Sequence, residues 1–311
     1  MLLELATYSD WLYMAAAGIY VFAMVLHGAE HASERSAKPV LVGAGGPEST
    51  VGGEPAVEDE PGGRSRSERF GRMAVALVVL GAALHLGSIV LRGFAAGRWP
   101  MGNMYEFISA ICLAAVVTWL VVLRRAFAAR PAGIFVLLPV VILMFLGGTS
   151  LYTAAAPVMP ALQSYWLVIH VTTVSISSGL LLVPGVASLL YLLRRSARTG
   201  GLIAKLPEAD VLDRLAYRTT IIAFPLYTFA IITGAIWAEA AWGRFWGWDP
   251  KETVAFVAWV IYAGYLHARA TAGWRTARAA WINVVAFATM IFNLFFINLV
   301  VAGLHSYAGV G

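Results

Sequence analysis

Apolar sequence recurs along this chain in eight runs, at about 9–27, 72–92, 104–123, 133–152, 165–193, 219–241, 253–271 and 280–303. Their length is that of a bilayer crossing: a helix rising 1.5 Å per residue needs about 20 residues to span a hydrocarbon core of about 30 Å. Inside lipid every backbone N–H and C=O must be satisfied within its own segment, so such runs fold as helices. The expected fold class is all-α, a polytopic integral membrane bundle of about eight transmembrane helices. Composition agrees, with 13% charged residues against about a quarter in soluble domains.

Basic residues mark the cytoplasmic side of such a bundle. The connections after the odd-numbered runs carry eighteen of the 22 Lys and Arg residues, and the opposite side carries Arg92, Arg98, Arg244 and Lys251. Both termini are therefore expected outside the cytoplasm. The net charge of +5 reflects topology and does not suggest a nucleic-acid surface. No basic stretch precedes the first run, which reads as a retained helix (1–31) rather than a cleaved signal.

Residues 32–71 are rich in Gly, Pro, Glu and Ser and poor in large apolar side chains. Such a composition buries too little surface to fold and is expected to form a disordered cytoplasmic loop. The remainder, 72–311, reads as one membrane domain without the internal repeats of many transporters. Its single cysteine, Cys112, lies within the third run. One cysteine cannot perform dithiol chemistry alone, and in that position it reads as a small buried residue.

Between runs six and seven stands "WGRFWGWDPKE", residues 242–252. Asp249, Pro250 and Glu252 form a helix-start signature, with Asp as N-cap, Pro in the first turn and Glu reaching back. The aromatic residues Trp242, Phe245, Trp246 and Trp248 have two readings, a belt at headgroup depth or a platform for a large planar ligand. The histidines favour the platform. His305 ends the last run, and His170 lies roughly 8 Å into the fifth from the same side. Imidazole is an axial ligand of haem iron, so the two form a candidate bis-histidine site beside the tryptophans. His267 lies roughly 21 Å from the outer start of its run, too deep for that site; it either serves a second, inner site or ends a helix. His85, about 10 Å deep, reads as a buried histidine bonded to a neighbouring helix. His27 and His31 border the cytoplasm and read as solvated.

These motifs together with "SYWLVIH", "YLHAR", "GLHSYA" and "GRWPMGNMYE" resemble the WWD signature and histidine set of the CcsA/ResC cytochrome c biogenesis proteins, over roughly 75–308. The resemblance implies a haem-handling subunit of the System II cytochrome c synthase in the cytoplasmic membrane. It would bind haem b as substrate, move it outward and present it to the CxxCH of apocytochrome c. It also implies a CcsB/ResB (Ccs1-like) membrane partner and a thioredoxin-like thiol reductant. Carried over by motif, His170 and His305 are the outer axial ligands and the residues of the catalytic site. His267 is the membrane-embedded ligand, whose axial partner is expected from the other subunit. Trp242, Trp246, Trp248 and Asp249 belong to the WWD platform. Any propionate partner on this chain is expected among the four outer cations. The competing readings are a WWD-type haem delivery protein without synthase activity, a secondary transporter with a histidine proton relay, and a di-haem electron-transfer cytochrome.

Overall fold

The computed structural model describes residues 1–33, 65–158, 163–196, 205–271, 273–274 and 276–305. They form eight long helices and, among the described residues, no strand: α1 (Leu2–Ser33), α2 (Arg66–Ala96), α3 (Met104–Arg125), α4 (Gly133–Thr149), α5 (Tyr165–Ser196), α6 (Ala209–Trp242), α7 (Pro250–Thr271) and α8 (Ala277–Phe292). A 3-10 turn, Phe127–Ala132, leads into α4. Beyond α8 the chain continues through a π-turn, Asn293–Ile297, and a final turn, Asn298–Val300. Seven of the eight are long and apolar enough to cross a membrane, α4 when taken with its 3-10 turn and α8 with the turns after it. The eighth, α7, falls short because one helix carries Lys251, Glu252, His267 and Arg269.

Helix ends extend beyond the apolar runs, because polar turns continue a helix once it is nucleated. The N-terminus of α2 is a case in point. Ser65 caps it by accepting the Glu68 amide at 3.2 Å, so the helix starts at Arg66 and not at 72. The rest of that polar segment, 34–64, lies outside the described residues, and with it most of the expected loop.

α1 packs along α2 and α5 along α6, while α3, α4 and α8 also lean on α5. In lipid, close helix packing depends on small residues that let backbones approach. At Gly179 of α5, an added Cβ would stand 2.6 Å from the Ile111 carbonyl oxygen of α3. One core spans α1 to α5 around the fully buried Trp119, and a second joins α5 to α8 around Tyr227 and Tyr262. Cys112 is buried in the first, as its position in the run suggested.

Two expectations at the arginine-rich end need correction. His27 and His31 are not solvated; both are buried. The Nδ1 of His27 lies 3.1 Å from Glu30, and the Nε2 of His31 lies 2.9 Å from the Pro131 carbonyl. Arg130 closes the group with an ion pair to Glu30 at 2.5 Å. The turn before α4 folds over the end of α1 and excludes solvent, which no local pattern around either histidine announces.

Candidate functional site

A cavity of about 1270 Å³, its open mouth included, lies where α5, α6, α7, the π-turn and the 101–104 segment meet. Its walls are largely apolar. His170, His305, Trp237, Trp242, Trp246 and Lys251 stand among the residues that face it.

His170 is held from three sides. Its Nδ1 lies 2.8 Å from the Ala230 carbonyl of α6, and its ring stacks on Trp237 with centroids 6.0 Å apart and planes 10° from parallel. The third constraint is Gly234, where a Cβ would stand 2.6 Å from the imidazole. The α6 carbonyl one turn before the glycine is thus available to the ring only because position 234 has no side chain.

His305 comes from the short segment beyond the last turn, and Asp249 fixes it. The His305 Nδ1 lies 2.9 Å from Asp249 Oδ2, while the Leu304 amide donates to Asp249 Oδ1 at 2.7 Å. Asp249 therefore does more than start a helix. Its bond to the Lys251 amide is the longer one, 3.3 Å, and Glu252 reaches back as the sequence pattern suggested, accepting from the Asp249 and Gly247 amides at 3.1 and 2.9 Å. Burial works to raise the Asp249 carboxyl, but the bonds from His305 and Leu304 outweigh it and hold it below the ordinary carboxylate range. Burial depresses His305 more than the Asp249 contact restores it. A neutral imidazole donating Nδ1–H to a carboxylate is the arrangement that metal-ligating histidines adopt, because it fixes the tautomer and orients Nε2. His170 achieves the same through a backbone carbonyl.

The tryptophans divide. Trp242 meets His305 edge-on at 5.3 Å and Trp237 at 4.8 Å, and Trp246 lines the cavity. Trp248 does not: it is 69% exposed, with a left-handed φ of 56°. That conformation is rare for a bulky residue. Here it turns the chain so that Asp249 faces inward while the indole goes outward.

Trp237 is a site residue that the sequence reading missed. It is buried in α6 and touches both His170 and His305, at 6.0 and 5.9 Å. A tryptophan three residues after a glycine within an apolar run was the available signal. Asn293 and Asn298 were missed too. They are five residues apart, the hydrogen-bond spacing of a π-turn, and that turn sets both against Lys251: Asn293 Nδ2 donates to the Lys251 carbonyl at 3.2 Å, and Lys251 Nζ donates to Asn298 Oδ1. π-turns recur at functional sites.

Glu106 holds another wall. It pairs with Arg92 at 3.0 Å and Arg98 at 2.7 Å, and accepts the Gly102 amide at 2.7 Å. This ties the 101–104 segment, which lines the cavity, to α3. Arg92 and Arg98 are thereby committed to protein, and Arg244 is exposed outside the cavity.

His267 and His85 are elsewhere. His267 is exposed on α7, near its last turn and away from the cavity. His85 is buried in α2 with Nε2 at 2.9 Å from Ser109 Oγ of α3, the interhelical bond expected of it. Among the described residues, no cluster of three or more His, Cys, Asp or Glu side chains could hold a bare metal ion. Two imidazoles on an aromatic-walled cavity instead fit an iron that brings its own equatorial ligands, as haem does.

Comparison with known proteins agrees with this chemistry. Residues 101–305 match the family model described as "Cytochrome C assembly protein". The cytochrome c biogenesis protein CcsA of Parasynechococcus marenigrum (strain WH8102) is 36% identical over 262 residues, covering 74% of this chain and 85% of that protein. The CcsA of Synechococcus sp. (strain CC9311) is 32% identical over 277 residues, covering 78% and 90%. Among solved structures, cytochrome c haem lyase CcmF superposes with a TM-score of 0.66 at 17% identity, over 94% of this chain and 46% of that one. The chain thus spans about half the length of that lyase, and the likeness is one of fold.

Proposed function

Because this chain belongs to the cytochrome c assembly protein family, we propose that it is the haem-presenting membrane subunit of a cytochrome c synthase, with haem b as its substrate. The observation that carries the reading is the pairing of His170 and His305 on one cavity, each with Nδ1 tied to a protein oxygen. In this reading Nε2 of each imidazole takes an axial position on the iron. Trp242 and Trp246 cover the porphyrin, and Trp237 keeps the two rings in register.

The two ligands differ in how firmly they are held. His170 sits within a long helix against Ala230, Trp237 and Gly234; His305 hangs on a segment beyond the last turn, secured through Asp249. His305 is therefore the ligand that the histidine of an incoming CxxCH displaces. Each substrate thiol then adds across a haem vinyl group, sulfur to the inner carbon and the proton to the outer one, with no leaving group and no oxidant. The protein's contribution is to hold the iron and orient the vinyl edge.

The basic bias of the opposite connections supports placing this cavity on the extracytoplasmic face of the cytoplasmic membrane. The exposure of His267 near the last turn of α7 supports a partner of the CcsB/ResB kind packing there and completing a second haem site. The lone buried Cys112 leaves reduction of the substrate thiols to a separate thioredoxin-like protein.

Co-expression with that partner and a reporter apoprotein carrying CxxCH tests the reading. Covalent haem on the reporter, lost in His170→Ala and His305→Ala, is the expected result. Haem bound by the complex with none ever transferred would make it a delivery protein, and no haem in either place would return the transporter reading.

A further inference from the structure

Resting on that reading, we propose that Lys251 is the cationic contact for a carboxylate of the porphyrin, so that the cavity selects a metalloporphyrin with a free propionate. Among the described residues lining the cavity, Lys251 is the only Lys or Arg. Its Nζ donates to the neutral Asn298 amide oxygen and lies 5.9 Å from the Phe107 ring centroid; among the described residues no carboxylate forms an ion pair with it. A lysine held in an apolar cavity without a counter-ion is costly unless an anion arrives to share the site.

Asp249 is near enough to act on the ammonium through space, but neither neighbouring acid pairs with it. Asp249 is engaged by His305 and Leu304, and Glu252 by the Gly247 and Asp249 amides. The other three cations on this end of the bundle are removed by geometry: Arg92 and Arg98 pair with Glu106, and Arg244 is exposed off the cavity. Lys251 also stands on the first turn of α7, where the helix dipole already favours an anion. The π-turn completes the arrangement, since Asn293 anchors the Lys251 backbone while Asn298 receives its ammonium. An arriving carboxylate takes a second of the three ammonium protons without displacing Asn298.

The test uses a chemical partner change. Ferric protoporphyrin IX and its dimethyl ester differ only at the propionates, and both can be titrated into the haem-free full-length chain in detergent, as wild type, Lys251→Met and Lys251→Arg. Wild type should bind the diacid about tenfold or more tightly than the diester, the usual worth of one charge-assisted hydrogen bond. Lys251→Met should lose that preference by weakening the diacid alone, and Lys251→Arg should keep it. Equal affinity of wild type for both porphyrins, or an unchanged preference in Lys251→Met, overturns the assignment. So does an equal loss of both ligands in Lys251→Met, which would mark Lys251 as a structural residue. Wild type that binds neither porphyrin overturns the haem reading itself, an outcome separate from all of these.

Discussion

In the α1–α4 half of the bundle, His27, His31 and His85 are buried, and each bonds one protein oxygen: Glu30, the Pro131 carbonyl and Ser109. In the α5–α8 half, His170 and His305 also bond one protein oxygen each, yet they face a cavity. One satisfied nitrogen is thus common to both sets, while the first set is fully buried and the second only partly. The second nitrogen differs as well. That of His27 packs against Gly133, where a Cβ would stand 2.6 Å from Nε2. In the first set, His31 joins α1 to the turn before α4 and His85 joins α2 to α3. The second set is positioned by protein beside a cavity.

Removing one histidine from each set is the sharpest way to break this distinction. In complexes purified with the partner, His170→Ala and His305→Ala should each lose the reduced low-spin haem spectrum. The loss should exceed the roughly 10- to 100-fold that follows loss of a ligand's outer partner, and added imidazole should restore it. His85→Ala should keep the spectrum and lower the melting temperature instead, because it deletes the bond to Ser109 and leaves a cavity. A weakened spectrum in His85→Ala would merge the two sets.

The outer partners provide a smaller contrast. Asp249→Asn keeps an oxygen for the Leu304 amide but removes the charge that His305 faces. Haem affinity should fall about 10- to 100-fold. Ser109→Ala removes the corresponding partner of His85 and should leave affinity unchanged. Equilibrium haem titration of the two variants side by side checks both.

How far this was legible in the sequence follows from the range of the forces involved. Apolar run length is a local property, and so the helices were readable to within a few polar turns, α6 starting at Ala209 rather than 219 being the largest shift among the described starts. The WWD segment was readable as a helix start because Asp249 and Glu252 act within four residues. The link from Asp249 to His305 crosses more than fifty residues; depth placed His305 beside the tryptophan segment, and only the family resemblance made Asp249 a site residue. Burial of His27 and His31 depends on a turn a hundred residues away. Trp237 was hidden because one more aromatic in an apolar helix, even three residues after a glycine, does not point to a site until its neighbours are known. The roles of Asn293 and Asn298 depend on a single π-turn, which shifts side chains by one position in a way no α-periodicity suggests.

The mildest contrast lies between two glycines in the site half. At Gly234 a methyl group would press into the His170 ring, which cannot yield without giving up Ala230 or its stack on Trp237. Gly234→Ala should therefore cost about 1–3 kcal/mol, the usual range for overpacking, and lower haem affinity with it. At Gly264, on the exposed face of α7, an added Cβ meets nothing within 4 Å. In the isolated chain Gly264→Ala should be neutral or stabilising by up to ~1 kcal/mol, since alanine is the better helix former. Thermal melts of the two variants measure the stability terms, and haem titration shows whether only the first reaches the site. Gly264 is three residues from the exposed His267 on the same helix face. A Gly264→Ala chain that is sound alone but fails to assemble with the partner would mean that this face is where the two subunits pack closely.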